Sequence, residues 1–412
     1  MPSLPFEIQE FVLDNLSEDS AALIACSLTC RAWVSITRAH LFKSVELKGD
    51  DDCVRLSRAL NASSGTSTEV ADCVKRLVIN PGPPVRNASS RTGWTIDWFP
   101  VLLPRLRKLE EFRLTKTVWD EIRESGCVQC ITASFPSLRV LAVEIMVFSS
   151  LADLTSIITS YPLLSTLELS HIAWFNRETL PNDVVTRIAE AKEPIVLHEL
   201  SVHCVVEFSK LLALLHLHFQ LQLRKLYWDI SLSSVPAEPA ALVPLIHGAE
   251  AFLEDLSLNI WGDDVLADVD LSRHIHLRSI SILVQKAPHW RNATYTMLPI
   301  LLEHITSPSM QKINLSFSFF RSVDFEADIG FLDWKLLDRV LASLGRNRPS
   351  MVIVFCFRYH VGNDGWMPDV VSLLKPRLAE VLSLRHSVRA VCGGYNPRHK
   401  SKSYPDRHYT IL

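Results

Sequence analysis

The chain has 412 residues, of which 48% are hydrophobic and 21% are charged, and its formal net charge is −3. This length allows one large domain or two, and the apolar content suffices for a buried core. The charge excludes the global positive field that attracts nucleic acid, and no apolar stretch reaches the roughly 18 residues that a membrane span needs. We therefore expect neither a nucleic-acid partner nor a membrane partner.

The cysteines indicate a compartment. There are nine, an odd number, and the chain starts without the basic and apolar segments of a secretory signal. Dispersed thiols of this kind are typical of the reducing cytosol or nucleus, where they act as small buried apolar side chains. We expect a cytoplasmic or nuclear protein.

Residues 1–47 predict three short helices. Leu4-Pro5 opens the first, because proline has a fixed φ and lacks an N–H that the first turn would leave unbonded. Ser17 or Asp19 can cap the second helix. Cys30-Arg31-Ala32-Trp33 leads into the third helix, which ends near Leu41-Phe42. The apolar residues at helical spacing are Ile8, Phe11, Val12, Leu16, Leu23, Ile24 and Leu28. Helices of about ten residues bury too little surface to be stable alone, so they need a partner or a neighbouring domain.

This segment resembles the F-box. The matching residues are Leu4, Pro5, Glu7, Ile8, Val12, Leu13, Leu16, Asp19, Leu23, Cys26, Ser27, Leu28, Cys30, Arg31, Trp33, Leu41 and Phe42. The run C-S-L-x-C-R-x-W followed by R-x-x-L-F is most similar to F-box proteins of mushroom-forming fungi. The alternative is an ordinary helical hairpin that caps a larger domain.

The resemblance implies a partner and a docking site. F-box segments bind a Skp-type adaptor, which joins them to a cullin-based ubiquitin ligase. By analogy with the family, the adaptor-binding residues are Leu4, Pro5, Ile8, Leu13, Leu16, Leu23 and Trp33.

Beyond residue 47, the pattern apolar-x-x-apolar-x-apolar occurs nine times, with middle residues 24 to 35 positions apart. The triplets are Val74-Leu77-Ile79, Leu109-Phe112-Leu114, Leu138-Leu141-Val143, Leu164-Leu167-Leu169, Leu197-Leu200-Val202, Leu223-Leu226-Trp228, Leu253-Leu256-Leu258, Leu277-Ile280-Ile282 and Met310-Ile313-Leu315. The residues just after them are mostly polar: Asn80, Thr115, Glu144, Ser170, His203, Asp229, Asn259, Leu283 and Ser316. This alternation predicts short strands with one buried face and one face in water.

Helical patterns at 151–158, 184–188, 208–215 and 297–304 separate some of these strands, so the unit is strand, loop, helix, loop. The domain resembles the degenerate leucine-rich-repeat domains behind fungal F-boxes, although most units lack the asparagine of regular repeats. The predicted fold class is α/β: a three-helix F-box, then an irregular leucine-rich-repeat solenoid of short parallel strands with helices or loops outside. The alternative is a generic α/β domain.

Further segments complete the predicted organisation. The acidic run Asp50-Asp51-Asp52 indicates a solvated linker turn, and residues 332–344 an amphipathic helix. Residues 351–357 predict a strand buried on both faces, and a helix at 370–384 with a strand at 388–392 would cap the open sheet. The domains are then an F-box at 1–47, a capped solenoid at 48–392 and a flexible basic tail at 393–412.

Large aromatic and arginine side chains follow or face the repeat strands, where a protein target could be bound. The predicted target-binding residues are Trp119, Trp174, Tyr227, Trp261, Trp290 and Arg321. The alternative is that the tryptophan rings cover the ends of the core.

No catalytic constellation is evident, and no cofactor or metal is required. The C-x-x-C pair Cys127 and Cys130 could exchange disulfides, but zinc needs four ligands and no second pair lies nearby. The sequence thus predicts a non-catalytic substrate-recognition subunit of a Skp–cullin–F-box ubiquitin ligase, which recruits an unidentified protein substrate. The alternatives are a scaffold that engages no ligase and an enzyme that uses the cysteine pair.

Overall fold

The computed structural model describes residues 5–65, 69–80, 96–117, 119–176, 194–229, 239–260, 266–286, 295–319, 330, 332–360, 370–384, 387–395 and 407–410. The chain forms two compact units. The first comprises Met1–Leu197 and Leu214–Gln220, and the second comprises His198–Ala213 and Leu221–Leu412.

The strands follow one another in the sheet in chain order. They are β1 (Ser44–Leu47), β2 (Arg76–Ile79), β3 (Glu111–Thr115), β4 (Val140–Ser150), β5 (Thr166–Asn176), β6 (Ile195–His203), β7 (Phe219–Asp229), β8 (Asp255–Ile260), β9 (Ser279–Lys286), β10 (Lys312–Phe319), β11 (Val352–His360), β12 (Ser387–Tyr395) and β13 (Arg407–Thr410). The first twelve form a parallel sheet, and β13 pairs antiparallel with β12. Helices connect the strands, which confirms the predicted fold class of three N-terminal helices and an α/β solenoid-like sheet.

The helices are mostly short. They are α1 (Phe6–Asp14), α2 (Ser20–Thr29), α3 (Trp33–Phe42), α4 (Asp50–Ser63), α5 (Val70–Cys73), α6 (Phe99–Leu102), α7 (Trp119–Glu124), α8 (Val128–Ser134), α9 (Leu151–Thr159), α10 (Phe208–His218), α11 (Pro239–Gly248), α12 (Met297–Glu303), α13 (Trp334–Arg346), α14 (Val370–Leu374) and α15 (Ala379–Ser383). Single 3-10 turns occur at Ile96–Trp98, Leu103–Arg105 and Lys375–Arg377. The helical patterns at 151–158, 208–215 and 297–304 are confirmed as α9, α10 and α12, and the pattern at 184–188 lies outside the described residues.

Parallel pairing aligns the apolar triplets. One row of the first unit contains Leu77, Phe112, Leu141 and Leu167. The corresponding row of the second unit contains Leu226, Leu256, Ile280, Ile313, Ile353 and Val388. All nine predicted triplets are buried, with at most 3% of any of these side chains exposed. The core of each unit therefore lies on one face of its strands.

β4 and β5 share a kink. Ile145 and His171 both have a left-handed φ of 53° and stand side by side between two regular pairs of the ladder. Each strand has one extra residue at the same position of the ladder, so the alternation of buried and exposed side chains shifts by one residue. In β4 the buried side chains are therefore Val143 before the kink and Met146 and Phe148 after it. Ile145 itself points to solvent, with 44% of its side chain exposed.

The C-terminal segments differ from expectation in three places. The predicted helix at 370–384 is divided into α14, a 3-10 turn and α15, because Pro376 cannot donate the hydrogen bond that a continuous helix needs. β11 alternates between buried and half-buried side chains, so it is not buried on both faces. The predicted flexible tail contains the end of β12 and all of β13, which pairs with the otherwise open edge of β12.

The acidic run is not a linker turn. Asp50, Asp51 and Asp52 form the first turn of α4, where their charges favour the N-terminal end of the helix dipole. An Oδ2 atom of Asp52 also accepts the backbone N–H of Lys48 at 2.9 Å.

The kink in β4 leads to a stability prediction. A β-branched residue in the left-handed region costs about 1–2 kcal/mol, whereas asparagine adopts this conformation readily. We expect Ile145→Asn to lower the free energy of unfolding by about 1 kcal/mol less than Val147→Asn, which removes a side chain of similar exposure from regular strand. Urea denaturation of both variants measures the difference, and an equal or larger loss at Ile145 would contradict the strain.

Candidate functional site

The three N-terminal helices enclose a small core of their own. Leu13, Leu23 and Ile36 are buried there, one from each helix. Leu16, Cys26, Trp33 and Leu41 pack against them and are partly buried. The sequence folds in this way because each short helix supplies at least one inward side chain. Asp19 fixes the start of α2, since its carboxylate accepts the N–H of Ala22 at 3.0 Å.

Polar contacts fix the helices relative to one another. The indole Nε1 of Trp33 donates to Oε1 of Gln9 at 2.7 Å, which joins α3 to α1. Nε2 of His40 lies 3.0 Å from a carboxylate oxygen of Asp14, a second link between the same helices.

Five apolar side chains on α1 and α2 face solvent. Between 41% and 83% of each residue is exposed. They are Ile8, Phe11, Val12, Ile24 and Leu28, and we name them together the N-terminal apolar face. Apolar residues at i, i+3 and i+4 on α1 thus lie outside the helical core, whereas Leu13 is fully inside. Exposed apolar side chains that share one side of a helix mark an interaction site more often than isolated ones do.

The predicted adaptor-binding residues fall into two groups. Pro5 and Ile8 are exposed, at the start and on the outer side of α1. The side chains of Leu13 and Leu23 are fully buried, and those of Leu16 and Trp33 are half-buried against them, so these four belong to the core of the helices. Leu4 lies outside the described residues. Sequence reasoning left Phe11, Val12, Ile24 and Leu28 out of the predicted site, although the helical spacing included them.

The predicted target-binding residues are also divided. Trp119 is 1% exposed in α7 and its ring lies 5.3 Å from that of Phe148, and Trp174 is 6% exposed in β5. These two rings therefore cover the core, as the alternative interpretation proposed, and they are not surface anchors. Tyr227, on β7, is 38% exposed. Trp261, Trp290 and Arg321 lie outside the described residues.

Cys127, the first cysteine of the C-x-x-C pair, has little nucleophilic character. The thiol of Cys127 is buried at the N-terminus of α8, where burial raises its pKa, and its Sγ lies 3.5 Å from the carbonyl oxygen of Ile96. Cys130 is half-buried one turn later.

A buried polar cluster lies at the ends of three neighbouring strands of the second unit. Nδ1 of His203 on β6 contacts the carboxylate of Asp229 on β7, and Nδ2 of Asn259 on β8 donates to the same carboxylate. Asp229 and Asn259 are buried, although their position after the apolar triplets predicted exposure. Asp229 raises the pKa of His203 to about 10, and Cys204 contributes in the same direction. His203 is therefore an imidazolium at neutral pH.

This ion pair should make stability depend on pH. The folded-state pKa of His203 exceeds its unfolded value of about 6.5, so the pair stabilises the fold fully below that pH. The stabilisation should disappear as the pH rises through about 10. We expect wild type to exceed His203→Gln in unfolding free energy by more at pH 6 than at pH 10. His198→Gln on the same strand is the control, and an equal pH dependence of the two variants would contradict the assignment.

Comparison with known proteins adds a domain assignment. The family model described as the F-box domain matches residues 1–44, which contain α1, α2 and α3. A chain in "Crystal structure of Rad7 and Elc1 complex in yeast" is similar, with 14% identity, a TM-score of 0.39, and coverage of 88% of this chain and 91% of that chain. No curated protein matches the chain. Among the described residues, no helix has the length and apolar composition needed to cross a bilayer.

The F-box domain defines a class of function for the N-terminal residues. It implies an adaptor role of the Skp–cullin–F-box type, in which the domain binds a Skp-type protein. F-box proteins are in general adaptors and not enzymes.

Proposed function

We propose that this protein is the substrate-recognition subunit of a Skp–cullin–F-box ubiquitin ligase. Its F-box would dock onto a Skp-type adaptor and through it onto a cullin, and its strand-and-helix domain would recruit a protein target for ubiquitination. The observation that carries the proposal is the N-terminal apolar face, which lies within the residues that match the F-box family.

The chemistry of this face suits a protein partner. Phe11 is two-thirds exposed and Leu28 more so, which makes them suitable anchors for a pocket on the adaptor. Exposed Glu7 and Glu10 supply the polar rim that surrounds the apolar centre of typical interfaces. Removal of apolar surface from water stabilises a complex by roughly 25 cal/mol for each Å² buried.

The docking residues that we propose are therefore Pro5, Ile8, Phe11, Val12, Ile24 and Leu28. Leu13 and Leu23 belong to the buried core of the three helices, so a substitution at either would act by unfolding the helices. Leu16 and Trp33 are half-buried, so their replacement would mix the two effects. Leu4 stays a prediction of the family resemblance.

Charge substitutions on the face test the docking. We expect Phe11→Asp or Leu28→Asp to weaken adaptor binding at least 30-fold, because loss of an anchor costs about 2 kcal/mol or more and a buried unpaired charge adds to it. Isothermal titration of the full chain with a purified Skp-type adaptor measures the affinity. Thermal unfolding should stay at the wild-type value because both side chains are exposed.

Leu163→Asp is the matched control, since Leu163 is exposed but lies far along the chain from α1–α3. If the F-box variants bind as tightly as this control, the docking face is wrong. If the wild-type chain forms no complex with the adaptor on co-expression and size-exclusion chromatography, the protein is a scaffold that engages no ligase.

We further propose that residues 48–392 are a degenerate leucine-rich-repeat domain that holds the target. The nine buried triplets in parallel register support this domain type, and Tyr227 is the candidate anchor on its polar face. The mechanism would be tethering: a bound target has a high effective concentration near the ubiquitin-charged enzyme, so no group of this chain needs to react. We place this activity in the cytoplasm or nucleus, and knock-down should then stabilise at least one protein that binds the chain.

A further inference from the structure

We propose that Cys204 is a reactive thiol that hydroperoxides oxidise to a sulfenic acid. The inference rests on a thiol, an imidazole, a carboxylate and an amide that contact one another in sequence within the second unit. It goes beyond target recruitment, because recruitment requires no reactive group.

The contacts run in a line from the thiol into the core. Sγ of Cys204 lies 3.5 Å from Nε2 of His203, and the other ring nitrogen of His203 contacts the carboxylate of Asp229. The amide of Asn259 donates to the second oxygen of that carboxylate. Asp229 and Asn259 are 5% and 2% exposed, whereas His203 and Cys204 are half-buried and accessible. The buried pair thus holds the imidazole in one orientation, with Nε2 directed at the thiol.

The backbone explains how two consecutive side chains meet. In a regular strand, the side chains of His203 and Cys204 would point to opposite faces. Cys204 instead has a left-handed φ of 51°, and its N–H donates to the carbonyl oxygen of Asp229 at 3.0 Å. This turn ends β6 and brings the thiol to the same side as the imidazole. A left-handed cysteine is unusual, since its Cβ makes the conformation unfavourable.

The arrangement places a positive charge beside the thiol. Because Asp229 raises the pKa of His203 to about 10, the imidazole carries a positive charge at neutral pH. An imidazolium at this distance can hydrogen-bond the attacking sulfur and supply a proton to a leaving oxygen, and the thiolate is the nucleophilic form of any cysteine. The carboxylate behind the ring fixes its position in the same way that an acidic residue orients histidine in nucleophile–histidine–acid triads.

The oxidation is a balanced two-electron step. The thiolate sulfur attacks the terminal oxygen of the hydroperoxide, an S–O bond forms and the O–O bond breaks. The sulfur is oxidised to a sulfenic acid, and the hydroperoxide is reduced to an alcohol, or to water when it is hydrogen peroxide. The leaving oxygen takes the proton from Nε2 of His203, which becomes neutral.

Three other thiols among the described residues serve as internal references. Burial raises the pKa of Cys53 to about 11 and also raises the pKa of Cys127, which disfavours their thiolates. Cys30 is exposed at the end of α2 and represents an ordinary accessible thiol.

The first test compares cysteines within the wild-type full chain. The protein is treated at pH 7 with hydrogen peroxide in the presence of dimedone, which traps sulfenic acids, and the labelled peptides are quantified by mass spectrometry. We expect Cys204 to be labelled at least ten times faster than Cys30. Labelling of Cys204 at the rate of Cys30 or below would overturn the proposal.

The second test assigns the effect to the imidazole. His203→Gln should lower the labelling rate of Cys204 at least tenfold, whereas His198→Gln, which removes another histidine of β6, should leave it unchanged. An unchanged rate in His203→Gln would contradict the role of the ring. Alkylation of the wild type by iodoacetamide covers the case in which His203→Gln does not fold. Cys204 should then react at least ten times faster than Cys30 at pH 6.5, and an equal or slower reaction would overturn the proposal.

Discussion

The structure depends on one constraint: each strand buries its apolar triplet on one face, and it does so only when its neighbours stand in register. A triplet such as Leu138-Leu141-Val143 has no partner within its own repeat, so its burial requires the strands on both sides. Pairing in register also joins the F-box helices to the sheet. The carbonyl oxygen of Lys43, at the end of α3, accepts the N–H groups of Lys75 and Arg76 at 3.0 and 2.9 Å, and β1 then pairs with β2. The last helix of the F-box is thereby continued by the first strand of the sheet.

One-sided burial also explains which features could be predicted from the sequence. The apolar triplets are visible because they alternate with polar residues, and all of them are buried where they were expected. The orientation of α1 and α2 was harder to predict. In α1, for example, Leu13 packs inward and Phe11 faces solvent, so the helix is apolar on both sides. Periodicity identifies an apolar helix of this kind, but it cannot show which side faces the core and which faces water.

The remaining differences have local causes. Trp174 follows the kink at His171. Because the kink exchanges the buried and exposed faces of β5, a position that would be exposed in a regular strand is buried at Trp174. The cluster of His203 and Asp229 joins residues 26 positions apart, and only strand pairing brings them together. The polar character of these positions was visible in the sequence, but their burial and mutual contact were not.

We propose that the N-terminal apolar face is the docking surface for a Skp-type adaptor. Hydrogen–deuterium exchange of the full chain, alone and in complex with the adaptor, tests this docking, because it reports on every backbone amide at once. We expect binding to slow exchange in residues 5–29, which contain α1 and α2, while the amides of β2–β12 exchange as before. Unchanged exchange in α1 and α2, or protection confined to the sheet, would contradict it.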